Sequence, residues 1–289
     1  MRKGGYLEEL DPLDERQFLV AVKRLADSLS YGTDRSPYLG SGLEYVQSRP
    51  YEPGDAIKSI DWRVTARTGK FFVKEYEAPK RMPVYLLIDT SASMVMKSAG
   101  VLSKYAWALQ VAGGLAFACL DRVSPVGVFG VGEREIKTRP SLSRDVVMQW
   151  LHGLRHFRYD EGTTLGRRVA ELVPTLPNRA MLVVLSDLHD PDAVGALQLA
   201  GQKHDVVVLQ FRDPAEGGLR GGGFFHAQEA ESGRDFVTHG RGSWTDPAVV
   251  EREMRKAGID YLLLPTDSPM DAKLRLFFGS RDVLGRGAR

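Results

Sequence analysis

A single cysteine, Cys119, is all the thiol that the 289-residue chain carries. That excludes an intramolecular disulfide and any cysteine-built zinc site, and it fits a reduced cytoplasm. Cys119 lies in the apolar run 111–120 and reads as a small buried hydrophobe. Neither sign of charge dominates: 39 Lys and Arg face 37 Asp and Glu, for a net charge of +2. Without a polybasic run, that balance gives no footprint for nucleic acid or an anionic membrane. Long apolar runs are missing too. The richest stretch, residues 101–120, is broken by Lys104, Gln110, Gly113 and Gly114, and falls short of the roughly 18 uninterrupted apolar residues that a membrane span needs. The N-terminal stretch has no apolar core of the signal-peptide kind, so no secretory export is expected. Internal repeats and low-complexity tracts are absent. With 43% hydrophobic and 26% charged residues, what remains is an ordinary globular chain, long enough to fold by burial without a disulfide or metal staple.

Residues 14–29 place Phe18, Val22, Leu25, Ala26 and Leu29 at helical spacing with charges on the other faces, an amphipathic helix that must dock on something. From 31 to 53 the pattern breaks into Gly, Ser and Pro. Turn signals and short strand-like pieces around Phe71, Val73 and Glu75 follow. Residues 1–80 therefore read as a small accessory segment and 81–289 as the main domain. In the latter, apolar runs at 84–88, 125–131, 180–186, 205–211 and 259–264 alternate with helical stretches around 99–120, 143–156, 165–176, 192–203 and 246–257. That is the signature of an α/β fold of Rossmann-like type, a mostly parallel sheet with helices on both faces. The second strand continues into 136–138 as a hairpin, predicting one antiparallel edge strand. The glycine-rich stretch 217–223 is read as a loop.

Open parallel sheets bind ligands at the carboxyl ends of their strands. The first strand ends in Asp89-Thr90-Ser91-Ala92-Ser93, the third in Ser186-Asp187 with His189 and Asp190 following, and an oxygen-rich turn, Glu161-Gly162-Thr163-Thr164-Leu165, precedes the helix at 165–176. Carboxylates and hydroxyls suit Mg²⁺ or Mn²⁺ rather than zinc.

Asp89, Ser91, Ser93, Thr163 and Asp187 stand in an order, D-x-S-x-S…T…D, that resembles the metal-ion-dependent adhesion site of von Willebrand factor A domains. The resemblance implies two serines binding the cation directly, a threonine doing so in some states, aspartates acting largely through water, and a partner carboxylate filling the open position. Thr163 is favoured over Thr164 because it follows the glycine. Upstream, Arg49-Pro50-Tyr51-Glu52-Pro53-Gly54-Asp55, Ile60-Asp61-Trp62, Ala66-Arg67 and Val73-Lys74-Glu75-Tyr76 resemble the signature of the DUF58 family, in which it precedes a von Willebrand A-like domain. This resemblance implies a companion of MoxR-type AAA+ ATPases in chaperone-like protein assembly or metal insertion, the partner supplying an acidic residue. Arg49, Tyr51, Asp55, Asp61, Trp62 and Arg67 are the candidate partner-binding residues. The plainer reading of that motif is structural: a turn at Pro53-Gly54, aspartates paired with nearby arginines, and a packed Trp62. Lys58 and Glu161 depart from the family pattern, and Glu161 brings a charge near the site.

Other chemistry finds little support. No phosphate-binding G-x-x-x-x-G-K-[ST] and no G-x-S-x-G nucleophile turn occurs. His152 and His156 stand four apart on a predicted helix, but no H-E-x-x-H motif frames them. A Mg²⁺-dependent hydrolase of the aspartyl-phosphate kind would use Asp89 but needs a second acid where Ser91 stands. The expectation is thus a non-enzymatic, metal-dependent protein-binding module. The alternatives are such a hydrolase, or a scaffold whose metal site is vestigial.

Overall fold

In a computed structural model that describes residues 4–11, 15–30, 44–77, 82–95, 97–98, 102–158, 160–217, 225–228, 235–238 and 246–281, the chain opens with strand β1 (Gly4–Tyr6), the one-turn helix α1 (Leu7–Leu10) and helix α2 (Glu15–Ser30). Phe18, Val22, Leu25 and Ala26 form the buried stripe of α2, as their spacing predicts. The chain divides into two units, residues 33–81 and the remainder. The first 32 residues therefore belong with the large unit. The accessory segment expected at 1–80 begins only after α2, because that helix can bury its apolar stripe against the main core.

The small unit is built on an antiparallel pair, β2 (Glu44–Pro50) and β3 (Phe72–Glu77), with helix α3 (Trp62–Thr68) between them. Asp61 caps α3, accepting from the backbone N–H groups of Arg63 and Val64 at 3.1 and 3.2 Å, and also accepts from the Ser48 hydroxyl at 2.7 Å. Gly69 ends the helix at φ +68°, the left-handed conformation a glycine adopts without a Cβ penalty.

The large unit continues with β4 (Val84–Ile88), α4 (Ala92–Val95), α5 (Lys104–Asp121), β5 (Val126–Gly130), β6 (Lys137–Ser141), α6 (Arg144–Leu154), β7 (His156–Arg158), α7 (Leu165–Leu172), β8 (Met181–Ser186), α8 (Ala193–Gly201), β9 (Asp205–Arg212), β10 (Phe225–Gln228), β11 (Asp235–Thr238), α9 (Pro247–Lys256), β12 (Asp260–Pro265) and α10 (Asp271–Arg281). Its six-stranded sheet runs β12-β9-β8-β4-β5-β6. Every pairing is parallel except the expected edge hairpin β5–β6. Residues alternate across the sheet: Leu86, Ile88, Val183 and Leu185 join the core with α2, α5, α6 and α10, whereas Leu87, Leu182 and Val184 join that with α7, α8 and α9. Both faces are covered, which explains the continuous apolar runs.

The sequence pattern did not anticipate β1, β7, β10, β11 or α10. The β1–β7 pair joins three-residue strands, too short to show a period. The glycine-rich loop expected at 217–223 falls, after 217, outside the described residues. No helix among the described residues is long and apolar enough to cross a membrane.

Candidate metal centre

The chain leaves β4 toward β5 on one side of the sheet and later returns to β8 on the other, so the β4/β8 junction is the topological switch point, where crevices form at strand ends. Asp89 follows β4 and Asp187 follows β8, with the Asp89 N–H bonded to the Leu185 carbonyl at 2.9 Å. Both aspartates are fully buried.

Around them the hydroxyls gather. Ser91 and Ser93 lie 3.0 Å apart, oxygen to oxygen, and the Ser91 N–H donates to Asp89 Oδ1 at 3.0 Å. Thr163 Oγ1 donates to Asp89 Oδ2 at 3.5 Å. Ser93 bonds Asp187. Thr164 turns away, its hydroxyl donating to the carbonyls of Val131 and Gly132 at 3.1 and 2.9 Å. The five residues selected from the sequence are thus brought together, from the segments after β4 and β8 and from the turn before α7. Leu188, immediately after Asp187, adopts the left-handed conformation at φ 60°, held by its N–H bond to Ser186 Oγ at 2.9 Å. Strain of this kind gathers where a side chain must be aimed.

Glu161 does not add charge to the centre. Its carboxylate accepts from Thr90 Oγ1 at 2.5 Å, and from the backbone N–H and Nε of Arg134 at 3.1 and 2.5 Å. It acts as a buried pin between the loops that carry Asp89 and Thr163. Gly132 makes room for it: a Cβ there would lie 2.3 Å from both Glu161 Oε1 and Thr90 Oγ1.

The electrostatics are uneven. Burial, and next the Asp187 charge, push the Asp89 carboxyl up to about 6. Burial acts the same way on Asp187, but the Lys104 ammonium, His189 and the Ser93 hydroxyl together outweigh it and hold that carboxyl below its ordinary value. Lys104, the first residue of α5 and only 2% exposed, donates to Asp187 Oδ2 at 2.7 Å and also to Glu216. His189 completes the cluster, its Nδ1 lying 3.3 Å from Asp187 Oδ2 and its Nε2 3.8 Å from Glu216 Oε2. Burial lowers the His189 pKa, but the Asp187 charge and the Glu216 carboxylate together more than compensate and the net shift is upward. Asp187, His189 and Glu216 thereby present a converging trio of ligand atoms.

The donors fit a hard divalent cation: two carboxylates and three hydroxyls, all oxygen. One of those carboxylates, Asp89, is buried without a cationic partner among the described residues, a state that a bound cation relieves.

Sequence reasoning missed Lys104 and Glu216, and it noted His189 only as following Asp187, where the structure partly buries it. Lys104 read only as an interruption of an apolar run. Glu216 lies just past the end of β9, so the strand-end rule applied to all five strands would have reached it. His152 and His156 do not share a helix face, because α6 ends at Leu154 and His156 begins β7. Among the candidate partner-binding residues, Arg49 and Asp55 are committed to each other through two hydrogen bonds of 2.8 and 2.7 Å, and Asp61 is the cap of α3. Tyr51, Trp62 and Arg67 lie exposed. Trp62 is not packed as expected: it is 62% exposed.

Fold and site together define a class: a doubly covered, mostly parallel α/β sheet with an oxygen-lined crevice at its switch point. The sequence matches the family described as protein of unknown function DUF58 over residues 47–242, and the chain belongs to that family. It is 27% identical over 285 residues to uncharacterized proteins of Mycobacterium tuberculosis and Mycobacterium bovis, covering 92% of this chain and 88% of theirs. The uncharacterized protein YeaD of Bacillus subtilis is 22% identical over 170 residues, 57% of this chain and 39% of that protein. Among solved structures, the conserved hypothetical protein BatB from Bacteroides thetaiotaomicron aligns with a TM-score of 0.47 at 18% identity, covering 70% of this chain and 98% of that one.

Proposed function

We propose that this protein is a non-enzymatic, metal-dependent protein-binding module acting in the cytoplasm. In this reading Asp89, Ser91, Ser93, Thr163 and Asp187 hold Mg²⁺ or Mn²⁺ in the manner of a von Willebrand A-type adhesion site. When bound, the ion supplies a Lewis-acidic position for a carboxylate, and the partner contributes that Glu or Asp. The resemblance carried by the residues 49–76 motif makes a MoxR-type AAA+ ATPase the partner of choice, in chaperone-like assembly or metal insertion. Exposed Tyr51, Trp62 and Arg67 offer a second contact surface on the small unit.

The observation that supports this reading best is the convergence of five oxygen-bearing side chains, distant in sequence, on the switch point of the sheet, one of them a buried carboxylate with no cationic partner among the described residues. The chain's own residues prepare the site. Glu161 and Arg134 fix the Thr163 loop, and the Leu188 turn aims Asp187.

The test is capture of partners on the purified protein in Mg²⁺ and in EDTA, with Asp89→Ala as control. Retention of an ATPase by the wild type only, and only with metal, is the expected result. Retention of the same proteins in all three arms overturns the metal-dependent grip.

A further inference from the structure

A lysine is an unfavourable first residue for α5. The positive end of the helix dipole repels its ammonium, and burying that ammonium carries a desolvation penalty that only close pairing offsets. The rest of α5 is overwhelmingly apolar and buried, from Tyr105 and Ala106 to Leu120. Lys104 nevertheless sits there at 2% exposure, and its position makes sense only through what it touches: Asp187 Oδ2 at 2.7 Å, and Glu216. Asp187 is one of the two carboxylates of the candidate cation site; Asp89 is the other.

We propose that Lys104 is the internal counter-cation of this site, and that it sets how tightly a divalent ion is held by competing with the ion for Asp187. This inference depends on the proposed cation site and adds a regulator to it. Asp89, Asp187 and Glu216 bring three negative charges and Lys104 returns one positive, so these four groups leave two negative charges for one divalent ion. The distribution of charge matters as much as the sum. Besides its bond to Ser93, Asp187 is engaged by the ammonium at 2.7 Å, by the His189 ring at 3.3 Å and by the His189 N–H, which donates to its Oδ1 at 3.3 Å. Asp89 accepts hydrogen bonds from Ser91, Thr163 and Ser186 but has no cationic partner among the described residues. The free protein therefore holds its ion loosely, which suits a grip that is made and broken. Glu216 draws the ammonium partly off Asp187 and so moderates the competition.

Mn²⁺ binding, read by electron paramagnetic resonance or calorimetry, tests this on the wild type, Glu216→Gln, Lys104→Met and the double variant Lys104→Met/Glu216→Gln. The double variant keeps the net charge of the wild-type cluster and removes Glu216 together with its cation, and Glu216→Gln, which keeps the Lys104–Asp187 pair, tests the competition even where the Lys104 variants do not fold. Competition for Asp187 requires the double variant to bind Mn²⁺ about tenfold more tightly than the wild type, since removing a positive charge a few ångströms from a cation site in a low-dielectric setting has effects of at least that order. Glu216→Gln binds more weakly. Equal affinity of the double variant and the wild type shows that only net charge matters and overturns the role given to Lys104. Weaker binding overturns it as well, by making Lys104 a support of the site. Absence of Mn²⁺ binding in every form, with native spectra, instead overturns the cation site itself.

Discussion

Asp89 carries the clearest conflict between stability and function in the molecule. Its carboxyl rises from 3.8 to about 6 on folding, through burial first and the Asp187 charge second. Between those values the native state binds more protons than the unfolded chain, so this group's contribution to stability falls as pH rises from about 4 to about 6, and its full cost stands at neutral pH. Asp89→Asn removes that charge. In EDTA at pH 7 the variant is expected to be more stable than the wild type by about 1–2 kcal/mol in urea unfolding, and to gain nothing from Mg²⁺. His204 behaves in the opposite sense. Burial keeps its ring from charging and holds its pKa below 6.5, while Nδ1 accepts from the Ala180 N–H at 3.2 Å. The unfolded chain then takes up a proton that the native state refuses, so stability is present above 6.5 and lost as pH falls below it. His204→Gln is expected to remove this component, read as the difference from wild type in unfolding midpoints between pH 5 and 8.

Helices α2 and α5 pack so closely that Gly113 and Gly114 are required. A Cβ on Gly114 would lie 2.7 Å from Leu25 Cγ and 3.0 Å from its Cβ, and one on Gly113 2.8 Å from Val22 Cγ1. Gly114→Ala gains about 1 kcal/mol of helix propensity but overpacks the contact, which costs about 1–3 kcal/mol. The expected outcome is a lower Tm despite the better helix former. The strands and helices of the sheet were legible because both faces are buried and the runs are dense. The attachment of α2 was only half legible: its stripe at Phe18, Val22 and Leu25 announces a docked helix, but nothing in it names the partner surface. The five candidate oxygen ligands could be picked out because they fall after β4 and β8 and in the turn before α7, in a recognisable order. Lys104 could not, because its meaning comes from Asp187 and Glu216, 83 and 112 residues away, and sequence patterns carry no such distance.

The division of the chain after residue 32 separates two tasks. The large unit holds the oxygen-lined crevice, and the small unit spends Arg49, Asp55 and Asp61 on its own architecture while exposing Tyr51, Trp62 and Arg67. Trp62→Ala is therefore expected to leave Tm within a degree or two, as exposed side chains do, and to weaken partner retention without changing metal affinity. The central claim concerns the crevice, and a calorimetric titration of Mg²⁺ into the wild type and Asp89→Asn tests it most directly. One ion per chain in the wild type and none in the variant is the expected result. No binding to the wild type, or equal binding to both, contradicts the assignment.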